Sequence, residues 1–184
     1  MDRERKILDA AAELFYEKGF HGTKVDELGA RAGVSGPALY RHFGGKNEIL
    51  ATLFNEAMDE LGRATGVQHE DPDRDFERLV RHHVEFAISN RHLVNVAQRE
   101  DRSLVEPWLR QVNRRRLKYV EGWEAAVRRC LPDATTAEVA IATQSCLGML
   151  FSIAYWPTKI SRTPELADTM VASALGMLDS YRQR

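Results

Sequence analysis

Apolar residues recur along this chain with the spacing of amphipathic helices. Near the start, four of them lie at the offsets that form one face of a helix: Ile7, Ala11, Leu14 and Phe15. They predict a first helix over residues 3–18, and Gly19 follows where a helix C terminus favours a residue that accepts positive φ. No stretch of useful length alternates apolar and polar residues as a strand does. The pattern therefore predicts an all-α fold.

Two short helices are predicted next, joined by a tight corner. Thr23 followed by Asp26 resembles a capping box and predicts a helix start, and Gly33 ends that helix. Ser35 is placed to cap the next helix, whose first turn tolerates Pro37 because no backbone donor is needed there. A longer helix follows Gly44-Gly45, with apolar residues on one face.

A weakly patterned segment, residues 62–73, predicts the domain boundary because it has two glycines, a proline and no apolar stripe. The division is 1–63 and 64–184. Beyond it the spacing predicts further helices, of which the last three cover residues 103–131, 135–156 and 164–182. Thr135 with Glu138 forms a capping box before the second of these, and Pro157 closes it.

Composition describes an ordinary globular chain of 184 residues, with 43% hydrophobic and 29% charged side chains. The net charge of −1 gives no overall sign of a nucleic-acid partner. Between residues 18 and 46, however, five basic residues outnumber two acidic ones, although residues 1–63 as a whole carry more acidic than basic side chains. Positive charge near the N terminus must therefore be confined to one face.

The two cysteines, Cys130 and Cys146, lie in apolar-periodic stretches and are predicted to be buried thiols in a reducing compartment. The chain starts with an amphipathic segment and not with the apolar core of a secretory signal. Polar residues interrupt the most apolar run, 137–156, which favours a buried helix over a membrane span. We expect a cytoplasmic protein with no membrane partner.

Catalytic motifs are incomplete. Residues 33–37 nearly match the nucleophile elbow, but Pro37 replaces its last glycine, and the segment at Lys46 lacks the remaining residues of a phosphate-binding loop. His82 and His83 point about 100° apart on a helix and cannot share a metal, so both are predicted to be solvated or at the edge of the core. We expect no catalytic residues, metal or cofactor. An all-α enzyme or a protein-interaction bundle that uses a C-terminal cavity remains the alternative.

The helical corner has the geometry that places a second helix in the major groove of DNA. Residues 19–50 resemble the N-terminal DNA-binding domain of TetR-family transcriptional regulators. The resemblance rests on a Gly-aromatic-x-x-Thr entry, then Ala-Gly-Val-Ser, Leu-Tyr-x-His-Phe and Lys-x-x-x-Leu, and it covers about the first 60 residues. Taken alone, Tyr40 could equally be a half-buried aromatic residue and His42 a cation that stabilises a helix C terminus.

This resemblance implies a three-helix DNA-binding domain with a helix-turn-helix motif at about residues 24–43, followed by a larger helical domain for ligand binding and dimerisation. Its DNA-binding positions are Thr23, Lys24, Ser35, Gly36, Pro37, Ala38, Tyr40, Arg41, His42 and Lys46. Thr23 would cap the second helix near a phosphate, and Lys46 would bind another phosphate. Because Gly36, Pro37 and Ala38 offer no side-chain hydrogen bonds, we expect DNA shape to supply much of the specificity.

For the C-terminal part, the resemblance implies a homodimer that pairs helices 135–156 and 164–182, a palindromic DNA operator, and a repressor released by a small apolar effector. Candidates to line the effector pocket are Phe86, Val94, Trp108, Tyr119, Trp123, Met149, Phe151 and Tyr155, although each could equally be an ordinary core residue. Residues 103–156 also resemble regulators that sense acyl-CoA. A basic cluster, Arg110, Arg114, Arg115, Arg116 and Lys118, would then meet CoA phosphates or simply form a solvated helix face.

Overall fold

A computed structural model of the chain describes residues 3–66 and 69–183, and in those residues the regular elements are all helical. The all-α prediction is confirmed. There are ten α-helices in this part of the chain: α1 Arg3–Gly22, α2 Val25–Ala32, α3 Gly36–Tyr40, α4 Lys46–Gly62, α5 Pro72–Ser89, α6 Arg91–Arg99, α7 Trp108–Cys130, α8 Thr136–Ser152, α9 Thr158–Ser161 and α10 Leu166–Arg182. Short 3₁₀ turns lie at Asp101–Ser103 and Ile153–Tyr155.

Contacts group the chain into two compact units. The first unit contains the chain up to Met58 together with His92–Arg115, and the second contains Asp59–Arg91 and the chain from Arg116 onward. Each unit is thus built from two separate segments of the chain, whereas the predicted domains, 1–63 and 64–184, are each one continuous segment.

The core of the first unit explains why it includes a later segment. Apolar faces of α1 and α4 supply most of the core, and Val96, Leu104 and Val112 are buried in the same cluster. Helix α1 is interrupted at Gly19, which has φ 75° and ψ 163°, so the predicted end of the first regular helix is confirmed.

Two of the three predicted helix limits in α2 and α3 are confirmed, the end of α2 and the start of α3, but the predicted start of α2 is not. Gly33 ends α2 in the left-handed conformation, with φ 71°, and the Ser35 hydroxyl caps α3 by accepting a hydrogen bond from the Ala38 amide at 3.3 Å. The predicted cap at Thr23 is wrong, because Lys24 is the N-cap residue of α2 and its side chain makes no capping bond.

In the second unit, α5 packs against α10 and α8, and α8 packs against α10. The capping box of Thr135 and Glu138 at the start of α8 is confirmed. Arg129 forms an ion pair with the buried carboxylate of Asp75, and Arg182 near the end of α10 forms one with Asp73 on α5.

Two helix limits differ from the prediction. Helix α7 begins at Trp108 and not at residue 103, because Pro107 disfavours helical backbone at the residue before it. The apolar helix ends at Ser152, and a 3₁₀ turn and the short α9 follow. The stretch Thr136–Tyr155, with a mean hydropathy of 1.4, is long and apolar enough to cross a membrane, but 44% of its most apolar window is buried within the protein. We therefore interpret it as a core helix.

Candidate nucleic-acid interface and buried polar cluster

The first turn of α3 presents little side-chain chemistry. Ser35 and Pro37 are exposed, Gly36 is half-buried and Ala38 is buried. Because the Ser35 hydroxyl is used as the helix cap, Pro37 is the main side chain that this turn offers to another molecule. The turn can approach a surface closely and make apolar contact.

More polar side chains lie at the end of α3 and just before α2. Tyr40 is 56% exposed, and Arg41 and Lys24 are also exposed. His42 is half-buried, and its Nδ1 lies 3.2 Å from a carboxylate oxygen of Glu4 on α1. The tyrosine hydroxyl and the two cations can therefore reach a ligand from solvent.

Several other cations of this region are already paired. Lys18 forms an ion pair with Glu27, and Arg31 lies 3.2 Å from both Glu13 and Glu17. By contrast, Lys24 and Arg41 have no carboxylate partner within residues 3–66 and 69–183. The positive surface available to an anion is thus smaller than the local count of basic residues indicates.

Lys46 is directed into the protein. Its Nζ donates hydrogen bonds to the carbonyl oxygens of Phe20 at 2.7 Å and Thr23 at 2.8 Å, and it lies 4.6 Å from the centre of the Phe20 ring. Desolvation by burial lowers the pKa of this amine, while the charge of Glu100 partly opposes that effect. The amine ties the start of α4 to the segment between α1 and α2.

Thr23 is also directed inward. Its side chain is buried, and the single hydroxyl proton is shared between the carbonyl oxygens of Gly19 at 2.9 Å and Leu14 at 3.2 Å. These bonds satisfy carbonyls near the interruption of α1. They explain why the hydroxyl does not cap α2.

The eight predicted pocket residues fall in both units. Val94 and Trp108 belong to the first unit, where Trp108 packs against the core. The second unit contains the other six: Phe86, Tyr119, Trp123, Met149, Phe151 and Tyr155. Of these, Tyr119, Trp123 and Phe151 surround His83.

The prediction that His83 is solvated or at the edge of the core is wrong, because this side chain is completely buried. Its Nδ1 lies 2.6 Å from the Tyr119 hydroxyl oxygen, and desolvation lowers its pKa to about 3, with a smaller contribution from His82. Helical spacing could have identified it, since residue 83 lies two turns after Phe76 on the apolar face of α5. His82 is half-buried, and its Nε2 lies 2.8 Å from the Glu60 carbonyl oxygen.

The basic cluster lies along α7. Arg110, Arg114 and Lys118 are exposed, and Arg110 lies 3.4 Å from Glu106. A separate polar groove of about 530 Å³ follows α5, and its lining residues are His69, Arg74, Glu77, Arg78, Arg81, His82 and Glu85. Neither feature includes the predicted apolar pocket residues.

Comparisons with known proteins agree with this architecture. The family described as bacterial regulatory proteins, tetR family, matches residues 7–53, and the tetracyclin repressor-like C-terminal domain matches residues 69–178. The HTH-type transcriptional activator FasR of Mycolicibacterium smegmatis is 40% identical over 60 residues, which is 33% of this chain and 27% of that protein. The matched part therefore spans less than a third of that relative.

Solved structures are similar over almost the whole length. The TetR-family regulator PfmR of Thermus thermophilus has a TM-score of 0.80 and 27% identity, covering 94% of this chain and 97% of that one. AibR, solved with isovaleryl coenzyme A and operator DNA, has a TM-score of 0.79 and 24% identity, with the same coverage. The two matched domains together include most of the chain. This protein therefore belongs to the TetR family of DNA-binding transcriptional regulators, and it is not an enzyme.

Proposed function

We propose that this protein is a homodimeric repressor that binds a palindromic DNA operator and releases it when a small apolar effector binds. The observation that carries the DNA-binding part is the exposed group formed by Tyr40, Arg41 and Lys24 beside a short, sterically open α3. As a repressor of this kind it would act in the cytoplasm. The proposed domain division, 1–63 and 64–184, is supported by the gap between the two family matches at residues 53 and 69.

Each exposed residue has a distinct role at the DNA. Arg41 binds a phosphate by charge, and Tyr40 donates a hydrogen bond to a phosphate oxygen. Lys24 reaches a base edge or a phosphate, and Pro37 makes apolar contact with thymine methyl groups. Gly36 and Ala38 let the backbone approach closely, so sequence preference depends largely on DNA shape. Thr23 and Lys46 donate hydrogen bonds to carbonyl oxygens inside the protein, so their role is to hold the backbone beneath this surface in place and not to contact DNA.

Dimerisation uses the outer faces of α8 and α10. The exposed positions on these faces are small or uncharged: Ala137, Ile141, Gln144, Ser145 and Gly148 on α8, and Thr169, Ala172, Ser173, Gly176 and Ser180 on α10. Their spacing forms one stripe on each helix, and small residues let helices of a second copy approach closely. By the family resemblance, a twofold dimer would present its two α3 helices to half-sites one DNA turn, about 34 Å, or somewhat more apart.

The effector binds in the second unit, among the aromatic residues near Tyr119 and Trp123. The bound isovaleryl coenzyme A of AibR supports an acyl-CoA or another lipid-like ligand for this chain. If the ligand is an acyl-CoA, the exposed cation Lys118, which belongs to the same unit, would pair with one of its phosphates. Release follows when the liganded dimer no longer matches the spacing of the half-sites.

Selection of bound sequences from random duplex DNA tests the proposal, and we expect an enriched palindrome. Arg41→Gln should then lower the salt slope of operator binding by about one unit, because one phosphate contact is lost. Arg31→Gln is the matched control, since Arg31 is already paired with Glu13 and Glu17 and its loss should leave the slope unchanged. Absence of any enriched sequence, or equal slopes for the two variants, would contradict the proposed DNA surface.

A reporter gene placed behind the selected palindrome tests the sign of regulation. Deletion of the regulator should raise expression of this reporter gene, and a fall in its expression would contradict repression.

A further inference from the structure

The interior of the second unit contains polar atoms that its own residues do not satisfy. Neither Nε2 of His83 nor Nε1 of Trp123 has a hydrogen-bond partner within the described residues 3–66 and 69–183. Both side chains are completely buried. An unsatisfied buried polar atom costs stability, so two of them in neighbouring side chains require an explanation.

The two side chains belong to one aromatic cluster. The His83 ring centre lies 5.9 Å from that of Trp123 and 4.5 Å from that of Phe151, with the rings nearly perpendicular in both pairs. On the other side of the imidazole, Nδ1 is held by the Tyr119 hydroxyl at 2.6 Å. The hydrogen bond to Tyr119 leaves Nε2 as the imidazole nitrogen that can bind another group.

Hydrogen-bonding capacity determines which group can satisfy these atoms. The indole N–H of Trp123 can only donate. Burial lowers the pKa of His83 and raises that of Tyr119, so both are neutral near pH 7. When the Tyr119 hydroxyl donates to Nδ1, Nε2 carries the ring proton. The indole N–H of Trp123 interacts with the Tyr119 hydroxyl, which partly opposes the rise in the pKa of that phenol, but it makes no hydrogen bond of normal geometry, so the cluster has two donors open to a ligand.

We propose that Nε2 of His83 and Nε1 of Trp123 bind the oxygen of an uncharged carbonyl group of the effector, such as that of a ketone, an ester or a thioester. The inference rests on the proposed function, in which the second unit binds the effector, and adds the chemistry of the bound group. A carboxylate is disfavoured because it would be desolvated beside a neutral imidazole. The apolar part of the ligand packs against Phe151 and the neighbouring aromatic rings.

Nuclear magnetic resonance of the tryptophan indole groups tests this directly in the 184-residue chain. Two probes of equal chain length are compared, 2-octanone and octanoate. We expect 2-octanone to shift the indole N–H resonance of Trp123 downfield and to bind about tenfold more weakly to Trp123→Phe, as expected for one lost hydrogen bond. Trp156→Phe is the matched control, because Trp156 lies in the same unit outside this cluster, and its affinity for 2-octanone should equal that of the wild type.

A second variant keeps the test decisive if Trp123→Phe does not fold. Tyr119→Phe retains the ring but removes the hydroxyl that orients His83, and it should also weaken binding of 2-octanone. The proposal is overturned if wild-type protein binds 2-octanone no better than octanoate, or if the variants bind both probes as the wild type does. Operator binding is measured separately by gel shift. Loss of ligand-dependent release with an intact carbonyl contact would count against the repressor function and not against this site.

Discussion

Replacing Lys46 by methionine separates two roles for this side chain. In the structure its amine donates to the carbonyl oxygens of Phe20 and Thr23 and lies over the Phe20 ring. Each hydrogen bond from a charged donor contributes roughly 1.5–3 kcal/mol, and the desolvation that lowers the pKa of the amine offsets part of this. Methionine keeps the apolar stem, so we expect a net loss of about 2 kcal/mol in the free energy of unfolding. For a chain of this size that corresponds to a fall in Tm of about 4–8 °C.

Urea unfolding and operator titrations at several salt concentrations measure the two effects separately. The variant should be less stable, while the salt slope of DNA binding should change by much less than one unit, because the amine is occupied inside the protein. Arg41→Gln provides the opposite control, with a lower slope and unchanged stability. Unchanged stability together with a slope lowered by about one unit in Lys46→Met would refute this reasoning. The amine would then contact a phosphate, as the family resemblance implied.

Other predictions concern the corner, the last helix and the thiols. Gly33→Ala should lower stability by about 1 kcal/mol in thermal unfolding, because alanine disfavours φ 71° although a Cβ there meets no atom within 4 Å. Arg182 lowers the pKa of Asp73, so this pair stabilises the fold above the ordinary aspartate pKa and its contribution is lost as acid protonates Asp73. Arg182→Met should therefore flatten the fall in stability seen by urea unfolding below about pH 4. Cys130 and Cys146, whose pKa values burial raises to about 12, should react with a thiol reagent only after unfolding, and fast reaction of native protein would contradict their burial.

Helix caps show which local predictions succeed. Ser35 and Thr135 each cap a helix whose first turn follows them directly, so the donor and acceptor are fixed by neighbouring residues. Thr23 has the same local pattern, but its hydroxyl bonds to Leu14 and Gly19, because the interruption of α1 leaves carbonyl oxygens within reach. A local pattern states what a side chain can bind, and tertiary packing decides between the choices.

Longer-range placement could not be predicted from spacing alone. Lys46 finds carbonyl partners more than twenty residues earlier in the chain, and Val112 completes a core formed mostly by the N-terminal helices. His83 is a different case, since its position on the apolar face of α5 was visible in the sequence. The prediction of a solvated side chain followed from the polar imidazole and not from this position. Burial of the imidazole depends on a hydrogen bond with Tyr119, which lies on another helix.

The sparse first turn of α3 has a consequence for how new specificities arise. None of Gly36, Pro37 and Ala38 has a side-chain hydrogen-bonding group, and of the three only Pro37 is exposed. A substitution at residue 37 can therefore add a contact to a DNA base without disturbing the core. Glutamine or arginine at this position is compatible with the start of a helix and could pair with adenine or guanine. Gene duplication followed by substitution at residue 37 would therefore separate two regulators onto different operators in one step. The first turn of α3 therefore has an exposed position at which a side chain that recognises a base can be added, by natural selection or by protein engineering.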